Sequence, residues 1–124
     1  MTAKQELRIP DYRQHMLEAI TRIEAYSAGV DEPAFFESGL LQDAIIRNLE
    51  VIGEAANNIL GLDGEFDKKH PDMALKAAYG MRNSLSHGYF QVDPVLVWGT
   101  LKVDIPEMKK QVLDALKNYP PPTE

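Results

Sequence analysis

The stretch "ESGLLQDAIIRNLEVIGEAANNIL", residues 37–60, decides the fold class. Its apolar residues Leu41, Ile45, Leu49, Ile52, Ala56 and Ile59 recur three or four positions apart, the spacing of one face of an α-helix. A strand's alternation is nowhere sustained. The stretch therefore reads as a central helix ending near Gly61. Gly53 costs such a helix about 1 kcal/mol against alanine. Packing is the compensation expected, because Gly53, Ala55 and Ala56 together let a neighbouring helix approach closely.

The same spacing continues on both sides. Upstream, Pro10 suits a first helical turn, and Tyr12, Met16, Ala19, Ile20 and Ile23 form one stripe before Gly29 interrupts it. Downstream, "GLDGEFDKKHP" (residues 61–71) is rich in turn residues and reads as a loop. A third helix after Pro71 turns Ala74, Ala77, Ala78, Met81 and Leu85 inward and ends at Gly88. Asp93 as N-cap and Pro94 as first residue open a fourth, with the stripe Trp98, Leu101, Ile105, Met108, Val112 and Ala115. Pro106 removes a backbone donor within it and predicts a kink or split near Asp104. The tail "NYPPPTE" cannot continue a helix. The expectation is an all-α, compact up-and-down bundle of four to five helices. It forms a single domain over residues 1–124, ordered from about 10 to 117, with no repeats.

Composition narrows the function. There is no cysteine, which excludes disulfides, thiolate metal sites and a cysteine nucleophile, and fits a reducing compartment. The N-terminal "MTAKQELRIP" lacks the apolar core of a signal peptide, and no apolar run approaches the ~20 residues that span a bilayer, so a cytoplasmic, non-membrane protein is expected. A net charge of −6 argues against a general nucleic-acid coat. The charge is uneven, however. Residues 12–65 carry three basic side chains (Arg13, Arg22, Arg47) against ten acidic, whereas residues 66–90 carry Lys68, Lys69, Lys76 and Arg82 against Asp67 and Asp72. That local excess is either chance variation on solvated faces or the setting of the next segment.

"MRNSLSHGYF", residues 81–90, gathers a fixed cation, a titratable base and a phenol. Asn83 lies four residues before His87 and stacks under it on a helix, where it can orient the ring. Arg82, five before, reaches the same space only by swinging its long side chain over the helix end. The helix C-terminus favours imidazolium and the guanidinium opposes it, which leaves His87 near the unperturbed histidine pKa of about 6.5 and able to trade a proton at neutral pH. A planar cation beside a proton carrier suits phosphoryl transfer. By residue type alone, such a pair at a helix C-terminus is more often a simple complement to the helix dipole.

"RNSLSHGYF" resembles the R-x4-H-x-Y signature of HepT-type toxins in the HEPN superfamily, with Arg82, His87 and Tyr89 on its three defining positions. "AIIRNLEVIGEAAN" (44–57) is similar to the family's second-helix segment, and "GYFQVDPVLVWGTLKVDIPEMKKQV" to its fourth-helix region, proline break included. The likeness runs from about Tyr12 to Leu116. One departure precedes the motif, where Ala74 and Leu75 stand in a stretch that often holds a tryptophan. The resemblance implies a HEPN-like helical bundle that dimerises and brings two R-x4-H segments to one cleft. It also implies metal-independent RNA cleavage without a cofactor, and a cognate nucleotidyltransferase antitoxin of the MntA type that adds AMP to Tyr89. Arg82 and His87 would then be catalytic, with Asn83 and Tyr89 supporting.

Other groups read more plainly. His15 and His70 have no ligand spacing with each other or with His87, so no metal site is expected and both read as surface residues. Arg47 and Glu54, seven apart on one helix face, either line the cleft or pair with each other and with solvent. Trp98, with aliphatic sequence neighbours, reads as core and dimer seam rather than a base-stacking platform. The leading reading is a toxin endoribonuclease acting through the RNA 2′-hydroxyl. The alternative is a non-catalytic helical partner that supplies a nucleotide contact to a nucleotidyltransferase.

Overall fold

The computed structural model describes residues 3–62 and 93–118, and every element among them is helical. Helix α1 spans Ala3–Ser27, α2 Glu32–Glu37, α3 Gly39–Leu62, α4 Pro94–Gly99 and α5 Ile105–Asn118, with a π-helical turn, Thr100–Asp104, joining the last two. The all-α bundle expected from the sequence is thus the architecture found. The third helix after Pro71, most of the 61–71 loop, His70, the 81–90 segment and the tail from residue 119 lie outside the described residues.

α3 is the spine of the core. Ile45, Leu49, Ile52, Ala56 and Ile59 are buried on it, joined by Gly53 and Ala55, and Leu41 is partly buried. α1 packs along this face with Met16, Ala19, Ile20 and Ile23, and α5 closes the layer with Ile105, Val112 and Ala115. Fully burying one such aliphatic side chain stabilises the fold by roughly 1.5–3 kcal/mol relative to leaving it in water. An ion pair, Lys109 Nζ to Glu24 Oε1 at 3.0 Å, ties α5 to α1 on the exposed rim.

Four features depart from the sequence expectations. α1 does not start at Pro10 but at Ala3, with Pro10 inside it and Ile9 buried one turn earlier than the expected stripe. A proline there forfeits one bond, to the carbonyl of Glu6, and the helix passes through. Second, Arg13 is buried at 3% exposure on the apolar face, a charged residue where hydrophobic spacing passed over it. Third, Gly61 and Leu62 extend α3 rather than opening the loop.

The fourth is α2. Asp31 caps it by accepting from Ala34 N at 3.0 Å, and it carries Phe35 into the core with no exposed surface. Phe35 stacks, tilted, on Trp98, with ring centroids 5.3 Å apart, and Lys102 Nζ sits 4.7 Å from the indole centroid. Trp98 is therefore packed among an aromatic and a cation, not among aliphatic side chains alone. The corner is tightly bonded: Ser38 ends α2 by donating its N–H to Phe35 O (3.3 Å), and its Oγ accepts from Leu41 N (3.1 Å) at the start of α3. Gln42 Nε2 reaches back to Phe35 O (3.0 Å) and Phe36 O (3.2 Å).

The α4–α5 region follows the expectation closely. Asp93 Oδ1 accepts from Val95 N at 2.9 Å and Pro94 opens α4. The helix widens before Pro106, where Ile105 N–H bonds Thr100 O, five residues back. With no N–H on Pro106, the regular ladder is broken at that point, and the wide turn is how the chain accommodates it.

Candidate functional site

Arg82, Asn83, His87 and Tyr89 lie outside the described residues, and the polar groups that the described residues bring together lie on α1 and α3. The connection between α1 and α3, residues 28–38, is too short to return along α1. At about 1.5 Å per helical and 3.4 Å per extended residue it reaches roughly 26 Å at most, against about 37 Å for the 25 residues of α1. α3 therefore starts where α1 ends, and the two run antiparallel. Gly29, with φ +73°, turns the chain at this corner in the left-handed region that glycine enters without penalty.

Between the two helices runs an open groove of about 530 Å³. α1 lends it Tyr12, His15, Glu18 and Arg22, and α3 lends Arg47, Glu50, Glu54 and Asn58. Each set recurs three or four residues apart, hence one stripe per helix. Counting helical rise from the corner, Arg22 and Arg47 stand roughly 8 and 12 Å from it, and Tyr12 and Glu54 both about 22 Å. The guanidiniums thus share one end of the groove, and the rings share the other. Tyr12 and His15 meet edge to face with centroids 5.8 Å apart.

Arg47 and Glu54 therefore both face this groove, as does His15, which the sequence placed on the surface and which is indeed exposed. Arg22 and Arg47 make no ion pair among the described residues, although Glu18 and Glu50 stand one turn away on their own helices. Among the same residues no cluster of His, Asp and Glu is arranged to hold a metal ion, and no helix is long and apolar enough to cross a membrane. Tyr12, read in the sequence as part of the apolar stripe, packs on the core and also lines the groove, whereas Glu18, Arg22, Glu50 and Asn58 carried no expectation as site residues. The signal was present as two polar stripes at helical spacing, but each stripe alone is what any solvated helix face displays.

Comparison with known proteins gives the fold its context. The family model "Ribonuclease HepT-like" matches residues 16–115. A "Gamma-glutamylcyclotransferase and putative RNase MJ0434" of Methanocaldococcus jannaschii is 42% identical over 106 residues, 86% of this chain but 46% of that protein, so the chain spans about half of that relative. "Putative RNase TTE0752" of Caldanaerobacter subterraneus subsp. tengcongensis is 36% identical over 86% of this chain and 92% of its own length. "Probable ribonuclease HepT" of Thermococcus cleftensis is 38% identical over 80% of this chain and 87% of its own. No solved structure matches the chain. With a family match over most of its length, relatives covered nearly end to end, and Arg82, His87 and Tyr89 inside the matched span, the chain belongs to the HepT-like ribonuclease family.

Proposed function

We propose that the protein is the toxin of a HEPN/nucleotidyltransferase toxin–antitoxin pair. It acts in the cytoplasm as a homodimeric, metal-independent endoribonuclease that needs no cofactor. The observation that carries this reading is the family match over residues 16–115, which encloses the R-x4-H-x-Y residues Arg82, His87 and Tyr89. In the reaction, the 2′-hydroxyl of the RNA attacks the adjacent phosphorus. A P–O2′ bond forms, the P–O5′ bond breaks, one proton leaves O2′ and one joins the departing O5′. The products are a 2′,3′-cyclic phosphate and a 5′-hydroxyl. His87 carries protons, Asn83 orients its ring, and Arg82 holds the charge that gathers on the non-bridging oxygens.

One chain offers one such pair, whereas in-line transfer needs both an acid and a base. A two-fold dimer with two pairs at a shared cleft supplies both. Silencing follows from chemistry at Tyr89, whose phenol oxygen attacks the α-phosphorus of ATP on an MntA-type transferase and releases pyrophosphate. The resulting phosphodiester is an anion held within reach of Arg82, in the space meant for the RNA backbone.

The decisive experiment is RNA cleavage by the purified protein and by Arg82→Ala and His87→Ala. Wild-type cleavage lost in each variant, with helical content and thermal stability retained, is the expected result. Cleavage surviving in either variant removes that residue from catalysis. A wild type that never cleaves RNA leaves the non-catalytic partner subunit as the reading.

A further inference from the structure

We infer that the groove between α1 and α3 is a subsite for one unpaired nucleotide of the RNA, with its phosphate at Arg22 and Arg47 and its base toward Glu50 and Glu54. The inference rests on the ribonuclease reading and adds to it a preference among bases. Pockets of roughly 300–1,000 Å³ enclose small organic ligands, and about 530 Å³ puts this groove in the range for a single nucleotide. Its charge is divided lengthwise. Two guanidiniums occupy the end nearest the corner, neither paired with a carboxylate among the described residues. Such groups match phosphate oxygens in fixed, forked geometry.

Of the three carboxylates that line the groove, Glu18 on α1 stands about level with Arg47, and Glu50 and Glu54 lie beyond Arg47 along α3. Glu54 follows Arg47 by seven residues, hence about 10 Å along the axis on nearly the same face, comparable with the length of one nucleotide from phosphate to the far edge of its base. Tyr12 and His15, in edge-to-face contact at 5.8 Å, line the opposite wall and offer a ring surface for stacking. A continuous backbone track would need cations along the whole groove, so the acidic half argues for a base there and a phosphate only at the arginine end. A carboxylate accepts from an exocyclic amine, such as cytosine N4 or adenine N6. Uracil presents a carbonyl at that edge and is repelled. A paired base has this edge engaged, so the strand read here is single.

The test uses the intact chain carrying His87→Ala, so that RNA is not consumed, with fluorescence anisotropy of r(C)6 and r(U)6 at several salt concentrations. The expected preference is about fivefold or more for r(C)6. Arg22→Ala with Arg47→Ala should weaken both oligomers about tenfold and lower the log–log salt slope by about 0.7, the share of one phosphate on a single strand. Glu50→Gln with Glu54→Gln should bring the two oligomers within twofold of each other and leave the slope unchanged. Arg22, Arg47 and Glu54 are exposed or half-buried and Glu50 half-buried, so circular dichroism should show these variants folded. Equal binding of r(C)6 and r(U)6, or an arginine double variant with wild-type affinity and slope, overturns the subsite even where the unsubstituted protein cleaves RNA. Free cytidine monophosphate binding as tightly as r(C)6 overturns the assignment to an RNA strand. Full base preference in a protein that cannot cleave RNA upholds the groove and removes the nuclease reading instead.

Discussion

Phe35→Ala should cost the fold about 4 kcal/mol. The side chain has no exposed surface and links α2 to Trp98 at 5.3 Å between ring centroids. An aromatic ring buries roughly 150–250 Å². At about 25 cal/mol per Å² that is about 4–6 kcal/mol, an upper bound because the unfolded chain already shields part of it. Measured truncations of buried phenylalanine cluster at about 3–5 kcal/mol. For a 124-residue chain the unfolding entropy is about 0.26 kcal/mol/K, so 4 kcal/mol lowers Tm by about 15 °C. The assay is intrinsic fluorescence during thermal and urea unfolding, since Trp98 is the single tryptophan and lies against the deleted ring. Phe35→Leu, which keeps much of the apolar area, should lose only about 1–2 kcal/mol. A Tm within about 3 °C of wild type for Phe35→Ala would refute the role of α2 as a packed element.

Three outcomes follow from the proposed chemistry. Cleavage should persist in excess chelator and leave 2′,3′-cyclic ends; activity lost to chelator and restored by a divalent ion would replace the mechanism with metal-assisted hydrolysis. Tyr89→Phe should keep at least part of the nuclease activity while taking no AMP from the cognate transferase and ATP. Mass spectrometry reads this directly, and equal modification of the variant would move the acceptor elsewhere. Light scattering at working concentration should give a dimer, and an active monomer would contradict the shared cleft.

How much of this was legible in the sequence varies by element. The α3 stripe was, because six apolar residues over five turns overdetermine a helix and its buried face. Asp93 and Pro94 were also legible, since a cap and a proline act locally. α2 was not. Six residues, Glu32–Glu37, complete fewer than two turns, so no periodicity accumulates, and Phe35 acquires its importance only from Trp98, far along the chain. Arg13 escaped because a count of apolar spacing skips a charged residue. The groove escaped because His15 and Arg22 on one helix, and Arg47 and Glu50 on another, become neighbours only through antiparallel packing. The R-x4-H-x-Y residues were read by likeness to a family, and the match over residues 16–115 supports that family while leaving their roles to the experiments above.

Ser38 and Gln42 make the corner between α2 and α3 a lock rather than a joint. Ser38 terminates one helix and initiates the next, while Gln42, in the first turn of α3, holds the last carbonyls of α2. Neither helix can fray at this end without releasing the other. In amide hydrogen exchange the protons of Ser38, Leu41 and Gln42 should therefore open together as one cooperative unit rather than in a graded series. Any bending of the connection is left to residues 28–31, where Gly29 already occupies the left-handed region. A flexing connection would thus carry α2 and the start of α3 as one body, with Phe35 and the ring it packs on, Trp98, as the contact that resists the movement.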